Sequence, residues 1–294
     1  EPQHRDGRLL SPMLAHTWEK YVDRLQPRDD VFLSRKLDGV RCIAAWDPVA
    51  KAPFFVSRVG NTFESCDWIA DAIRPAFERD PSLVLDGEIY NHSVPDFSGL
   101  IGAIKVQRKH RTAEHEDLQK RLQFHAFDVL YSTGMNGAET PFATRLSVLE
   151  RILNRVPTSK ADTIKLVEND VVRVRDVERR MNAVLADGYE GLMARTATGT
   201  YEFGKRSTTL LKVKRMHDAE FEVVDVIEGK GRLRGMVGAI ECVTNDEWNP
   251  QRFKAMFGVD DEERRQWWLK RKQLIGKLVT VSYQEITSAG VPRF

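Results

Sequence analysis

The sequence predicts an α+β protein of two domains, a larger one mixing strands with helices and a smaller β-barrel. Three observations carry that prediction. Short runs of β-branched and aromatic residues alternate with segments of helical spacing through the first two thirds of the chain. Beyond His217 the pattern changes to short strands broken by glycine turns, with one helical, basic insert. The 294 residues, 41% hydrophobic and 9% aromatic, suffice for one large domain or two modest ones and exclude a disordered chain.

Taken in order, residues 31–33, 41–46, 54–58 and 83–90 read as strands, punctuated by Gly39, Gly60 and Gly87. Residues 68–77 and 146–153 carry apolar side chains at helical spacing, and 177–185 does so less regularly. In the C-terminal part, 221–227 alternates and breaks at Gly229 and Gly231. Residues 237–243 and 278–286 read as further strands around a basic helical insert at 260–272. This pattern is compatible with a five-stranded barrel of the oligonucleotide-binding kind. The expected domains are 1–216 and 217–294.

Composition excludes several classes of function. No uncharged apolar run approaches the roughly 18 residues of a membrane-spanning helix, so no membrane is expected as a partner. Cys42, Cys66 and Cys242 are dispersed and form no C-x-x-C pair, which removes a disulfide framework and a four-cysteine zinc site. A reducing compartment is therefore expected. The charged N-terminal residues lack the apolar core of a secretion signal. Forty-five basic and forty-three acidic residues give a formal charge of +2, so bulk charge does not announce a nucleic-acid binder. Basic residues nevertheless cluster at 105–111, 205–206, 212–215, 230–234 and 264–272. Taken singly, each cluster reads as a solvated face before it reads as a binding site.

The strongest local signal is Lys36-Leu37-Asp38-Gly39-Val40-Arg41, at the junction of two expected strands. A lysine at a glycine turn suits nucleophilic attack on phosphorus, because desolvation or cationic neighbours can favour the neutral amine that such attack needs. Arg41 would steady phosphate oxygens. By itself the segment reads equally as a surface β-turn with solvated side chains.

The blocks that follow break that parity. Pro12-Met13-Leu14-Ala15 precedes the KLDGVR segment. After it come Ser57-Arg58-Val59-Gly60-Asn61, Leu85-Asp86-Gly87-Glu88-Ile89-Tyr90 and Phe124-His125-Ala126-Phe127-Asp128-Val129-Leu130. Glu190-Gly191-Leu192-Met193 and Leu211-Lys212-Val213-Lys214 complete the series. In this order the chain resembles the nucleotidyltransferase superfamily of ATP-dependent DNA ligases and mRNA capping enzymes, and within it a compact ATP-dependent DNA ligase.

The resemblance implies an adenylation domain of antiparallel sheets with helices, followed by an OB-fold barrel. It implies Lys36 as the nucleophile that forms a phosphoramidate with AMP, with Asp38 orienting the reacting groups. Glu88 would face the nucleotide and share a metal with Glu190, Phe127 would stack on adenine, and Lys212 and Lys214 would neutralise the α-phosphate. Arg41 and Arg58 are assigned to nucleotide or nick phosphates, and Lys205 and Arg206 to nucleic-acid or nucleotide contacts. Taken alone, Phe127 reads as core, Glu88 as an exposed strand-end carboxylate, and Lys205 and Arg206 as surface charges. ATP is the implied cofactor, with Mg²⁺ required and Mn²⁺ able to replace it. The implied partner is nicked double-stranded DNA, met by a monomer during DNA repair or replication, in a bacterial or virus-infected cytoplasm or in a nucleus. An RNA ligase or an mRNA capping guanylyltransferase is the alternative. A further basic motif, which helps to expel pyrophosphate, is expected beyond an Arg-Phe segment. The sequence given ends at Pro292-Arg293-Phe294, so the barrel is read as truncated or unusual there, with slow self-adenylation. No separate DNA-binding domain is seen before Pro12, so the two domains must grip the duplex. The 264–272 insert with Trp267 and Trp268 reads either as part of that grip or as a helix capping the barrel with its tryptophans buried.

Overall fold

The structure, a computed structural model, describes residues 4, 6–94, 97–287 and 289–294. It divides into two compact units, Glu1–Lys214 and Arg215–Phe294. In chain order the first unit holds β1 (Leu14–Thr17), α1 (Trp18–Tyr21), β2 (Asp30–Lys36), β3 (Val40–Asp47), β4 (Ala52–Ser57), α2 (Asp67–Arg79) and β5 (Val84–Tyr90). There follow α3 (Phe97–Lys105), α4 (Ala113–Gln119), β6 (Gln123–Ser132), β7 (Met135–Asn136), α5 (Phe142–Leu153), β8 (Ile164–Leu166) and β9 (Asp170–Arg173). It closes with α6 (Val177–Ala186), β10 (Gly191–Thr196) and β11 (Arg206–Val213).

These strands build two sheets. One runs β1-β11-β10-β2-β9, and the other runs β4-β3-β5-β6-β7 with β8 parallel to β6. All ladders are antiparallel except β1–β11 and β6–β8. Strand β3 lies between β4 and β5, and Cys42, Ile43, Ala44 and Ala45 are each fully buried, which explains its unbroken apolar run. Helix α2 places Ile69, Ala72, Ile73, Ala76 and Phe77 on one stripe against the second sheet. Each large side chain buried there stabilises by about 1.5–3 kcal/mol. A second core lies between the first sheet and α6, around Val31, Leu192, Val177 and Met181. A third joins residues of both sheets, among them Ile43, Val84, Leu130 and Leu210, and so fixes one sheet against the other.

The second unit holds β12 (His217–Glu228), β13 (Val237–Val243), β14 (Arg252–Met256), α7 (Asp261–Leu269), β15 (Leu278–Tyr283), β16 (Glu285–Ile286) and β17 (Pro292–Arg293). Here the structure corrects two expectations. The strand expected over 278–286 is two strands, because β15 ends at Tyr283 and β16 pairs with β17 instead. The expected five-stranded barrel is a four-stranded sheet, β14-β13-β12-β15, beside a two-stranded one, and no ladder among the described residues closes β14 onto β15. Trp267 and Trp268 pack against this unit's core, and Arg264 donates to the carbonyls of Val259 and Val237. The helix thus caps the sheet with its tryptophans half-buried.

Periodicity does not announce β1, α3, α4, β6 or β10. Four of the six residues of β10 are buried and the other two half-buried, which erases alternation, and α3 carries two glycines that weaken its helical signal.

Candidate active site

Strand β2 ends on Lys36, and its antiparallel partner β10 begins at Gly191 directly opposite. Glu190, one residue before β10, therefore arrives beside the lysine. Lys36 Nζ donates to Glu190 Oε2 at 2.6 Å, and Lys214 Nζ pairs with the other oxygen, Oε1. Burial opposes ionisation of Glu190, yet the two ammonium groups outweigh it and hold the carboxyl below its usual range. Lys214 stands one residue past the end of β11, where Lys212 lies. The Lys212 amine is pushed down by burial and by the neighbouring charges of Lys214, Arg206 and Lys36. Lys36, Glu190, Lys212 and Lys214 are thus one electrostatic group.

The second sheet brings Glu88, opposite Arg41 in the β3–β5 ladder. Burial pushes the Glu88 carboxyl up to about 7, against the pull of Arg41 and Lys36. Arg41 itself is engaged by the protein. Its Nε and Nη2 each donate to Asp86 at 2.7 Å, and Nη2 also reaches the Met13 carbonyl. Asp86 additionally accepts from the Tyr201 hydroxyl at 2.5 Å. Burial disfavours the Arg41 charge, but the Asp86 carboxylate more than offsets it and raises the guanidinium above its ordinary value. Phe127, on β6, is half-buried, whereas Phe124 is wholly in the core. The Phe127 ring lies 4.9 Å from the guanidinium carbon of Arg41 and 5.2 Å from that of Arg195.

Asp38 lies in the β2–β3 connection, close in sequence to the lysine that it is expected to orient. Arg58 is exposed in the turn after β4, and no bond ties it to the Lys36 group among the described residues. Arg206 donates to the Ala15 carbonyl at 2.6 Å and so braces β1, while Lys205 is exposed.

Sequence reasoning missed four side chains here. Arg195 is buried, and its Nη1 reaches Ser34 Oγ at 3.2 Å while its Nε has no hydrogen-bond partner among the described residues. Burial first, and then the charge of Arg41 against that of Asp128, brings this guanidinium down to about 10. The signal was available: Arg195 is an even number of residues from Gly191 on one strand and shares its face. Arg145 and Asp128 form a buried two-bond pair at 2.7 and 3.0 Å, a contact between α5 and β6 that no local pattern reveals. Tyr189 lies just outside the block that begins at Glu190, and only that adjacency points to it.

A cavity of about 460 Å³ opens beside the Lys36 turn, lined by Ser34, Leu37, Tyr90, His125, Tyr189 and Leu192 among others. Phe127 is not one of its walls. Burial and Lys165 depress His125 to about 4, so its ring is neutral at physiological pH. Among the described residues no three His, Cys, Asp or Glu side chains form a metal-holding group. None of the described helices is long and apolar enough to cross a membrane.

A family model described as ATP dependent DNA ligase domain matches residues 12–214, and another described as DNA ligase OB-like domain matches residues 228–294. The chain belongs to the ATP-dependent DNA ligases. It is 30% identical over 310 residues to a DNA ligase of African swine fever virus, covering 98% of this chain and 68% of that relative. Over 301 residues it is 27% identical to a DNA ligase of Thermococcus fumicolans, covering 95% of this chain and 52% of the relative. The chain spans about half the length of several curated ligases that it matches, 43% of one and 52% of another. A solved structure from a study of DNA binding by Lig E DNA ligases shares the fold, with a TM-score of 0.69 at 24% identity over 97% of this chain and 96% of that one. Within this ligase family the C-terminal sheet is the OB-like unit, recognised although no ladder among the described residues closes it.

Proposed function

We propose that this chain seals nicks in duplex DNA with ATP, through a covalent Lys36–AMP intermediate. The observation that supports this most directly is the Lys36 amine held 2.6 Å from Glu190, with Lys214 on the other carboxylate oxygen and Glu88 facing from the opposite sheet. In the first step the Lys36 nitrogen bonds to the α-phosphorus of ATP while the bond to pyrophosphate breaks, and Glu190 is placed to take the proton that the amine loses. Next the 5′-phosphate oxygen at the nick attacks the same phosphorus and Lys36 leaves. Finally the 3′-hydroxyl attacks the adenylated 5′-phosphate and AMP departs. Each step is an in-line displacement that depends on positioning and charge neutralisation. Lys212 and Lys214 supply positive charge toward the α-phosphate.

Glu190 and Glu88 offer hard carboxylate oxygens around one amine, and Mg²⁺ is commonly held by one or two carboxylates plus phosphate oxygens. The donor set fits, so these two residues would hold the ion, which when bound neutralises charge on the phosphates. Arg41 is read as a brace for the β3–β5 pair more than a phosphate clamp, since its bonds go to Asp86 and Met13. Arg58, exposed, is the arginine assigned to a nick phosphate. Asp38 keeps its assignment as an orienting group. The reading makes the chain a monomer on nicked duplex, divided near residues 214–216 into an adenylation domain and an OB-fold domain.

The test is incubation with labelled ATP or GTP, followed by denaturing electrophoresis and then sealing of nicked duplexes with DNA or RNA on each side. Retained AMP and sealed DNA are expected. Retained GMP, or sealing of RNA strands alone, would replace this reading with a capping enzyme or an RNA ligase.

A further inference from the structure

Glu190 depends on how sharply the preceding chain turns. After α6 the backbone passes Asp187, then Gly188 at a φ of +82°, then Tyr189, and delivers Glu190 one residue before β10. A positive φ is accessible to glycine at little cost but does not by itself hold a turn in one place. The N–H groups of Asp187, Gly188 and Tyr189 donate to the carbonyls of Ala183, Leu185 and Val184 and so tie the turn to its own helix, which leaves its position against the two sheets to be set by groups outside it.

The structure assigns that task to His92, just beyond the end of β5: we propose that it is a positioning residue that sets Glu190 between Lys36 and Lys214. Its Nε2 lies 2.9 Å from the Asp187 carbonyl oxygen, and its Nδ1 lies 2.6 Å from the Tyr90 hydroxyl. A carbonyl can only accept, so Nε2 carries the hydrogen and Nδ1 accepts from Tyr90. Tyr90 is buried at the end of β5 and therefore orients the imidazole from a rigid strand. The imidazole stacks on Tyr189 with centroids 4.2 Å apart and planes 7° from parallel. A Cβ placed on Gly188 would meet His92 Cε1 at 3.6 Å, so the ring also covers the glycine. From the first sheet Arg35, the neighbour of Lys36, lies over the other ring of the stack, 4.9 Å from the Tyr189 centroid, with Asp187 Oδ2 at 3.9 Å. Both sheets thus hold the three residues before Glu190, one through His92 and the other through the residue next to the nucleophile. His92 touches none of the Lys36, Glu190 and Lys214 bonds, so it acts through the turn.

This inference rests on the reading of Glu190 as part of a ligase site. The test compares wild type with His92→Ala, which removes stack and hydrogen bonds, and His92→Phe, which keeps the stack. Four readings are taken: the rate of Lys36–AMP formation at saturating ATP with its Mg²⁺ requirement, the KM for ATP, the thermal midpoint, and hydrogen exchange at the Gly188 and Tyr189 amides. Removing a group that orients a ligand from outside commonly costs 10–100-fold, so about a tenfold slower step with a raised Mg²⁺ requirement is expected for His92→Ala. KM and thermal midpoint should hold, exchange at the two amides should quicken, and His92→Phe should fall between. A wild-type rate in His92→Ala, or a rate loss matched by a fall in thermal midpoint, would overturn the proposal. Should wild type form no adduct, the ligase reading fails, and the exchange measurement alone decides on His92: unchanged exchange overturns it.

Discussion

At the scale of single residues, three side chains carry sharp expectations. Lys36→Ala should abolish the covalent adduct, because the other amines near Glu190, those of Lys212 and Lys214, belong to β11 and its end and not to the turn. Intact mass spectrometry after incubation with ATP checks this, and adduct at wild-type level would remove Lys36 from the mechanism. Glu88 makes a prediction about stability. Its folded value of about 7 stands above the ordinary 4.5, chiefly because burial penalises the carboxylate. The folded state therefore holds the proton more tightly than the unfolded state, so this contribution is fully present below about 4.5 and lost as pH rises through 7. A tenfold difference in proton affinity between the two states corresponds to about 1.4 kcal/mol, so Glu88→Gln should stabilise by about 1–3 kcal/mol at pH 8 relative to its effect at pH 4. Urea midpoints at the two pH values measure the difference, and parallel shifts at both would place the pH dependence elsewhere. Phe127 poses a question of location, since guanidinium groups lie near its ring and the 460 Å³ cavity is lined by other residues. A stacked base contributes about 1–3 kcal/mol, so Phe127→Ala should raise the KM for ATP by about 5- to 150-fold, and Phe127→Tyr much less. A KM that responds to His125→Ala and not to Phe127→Ala would put the base in the cavity.

At the scale of elements, the turn between β2 and β3 is set by how closely it approaches β5. A Cβ on Gly39 would collide with the Ile89 carbonyl oxygen and lie 2.7 Å from Glu88 Cγ. Backbone cannot yield there as a flexible side chain can. Gly39→Ala should therefore cost about 1–3 kcal/mol of stability and displace Lys36 relative to Glu88, slowing adduct formation more than the stability loss explains. Denaturation and single-turnover adenylation of the same variant separate the two effects. The α5–β6 contact is a second element-scale device. Arg145 and Asp128 are 1% and 2% exposed, so removing one partner strands a buried charge. Asp128→Ala should destabilise by about 3–5 kcal/mol, and replacing both partners by apolar residues of similar volume should recover much of that.

At the scale of the whole molecule, three apolar clusters lie in the first unit and one in the second. Each unit therefore encloses a core of its own, and residues 1–216 should fold alone and still bind ATP, since every member of the Lys36 group is within them. Affinity for nicked duplex should fall about a hundredfold, because loss of several phosphate contacts acts through counterion release, and its salt dependence should flatten. Calorimetry and fluorescence anisotropy at two salt concentrations test both halves. Unchanged affinity would place the DNA grip entirely in the first unit.

What the sequence determined by itself was chemical identity in order. Lys36, Glu88, Phe127, Glu190, Lys212 and Lys214 stand in short blocks whose succession is legible in one dimension. So were the strands β2, β3 and β5 and the stripe of α2, because periodicity is a local property of the chain. Tertiary structure decided which of these groups meet. Glu190 is 154 positions from Lys36 and reaches it through the β2–β10 register. Pairing between other distant segments decided that Arg41 turns to Asp86, that Arg195 joins Arg41 beside the Phe127 ring, and that β14 and β15 remain apart. A ladder's partner and register are settled by packing between distant segments, and a single chain read in order carries no direct trace of that choice.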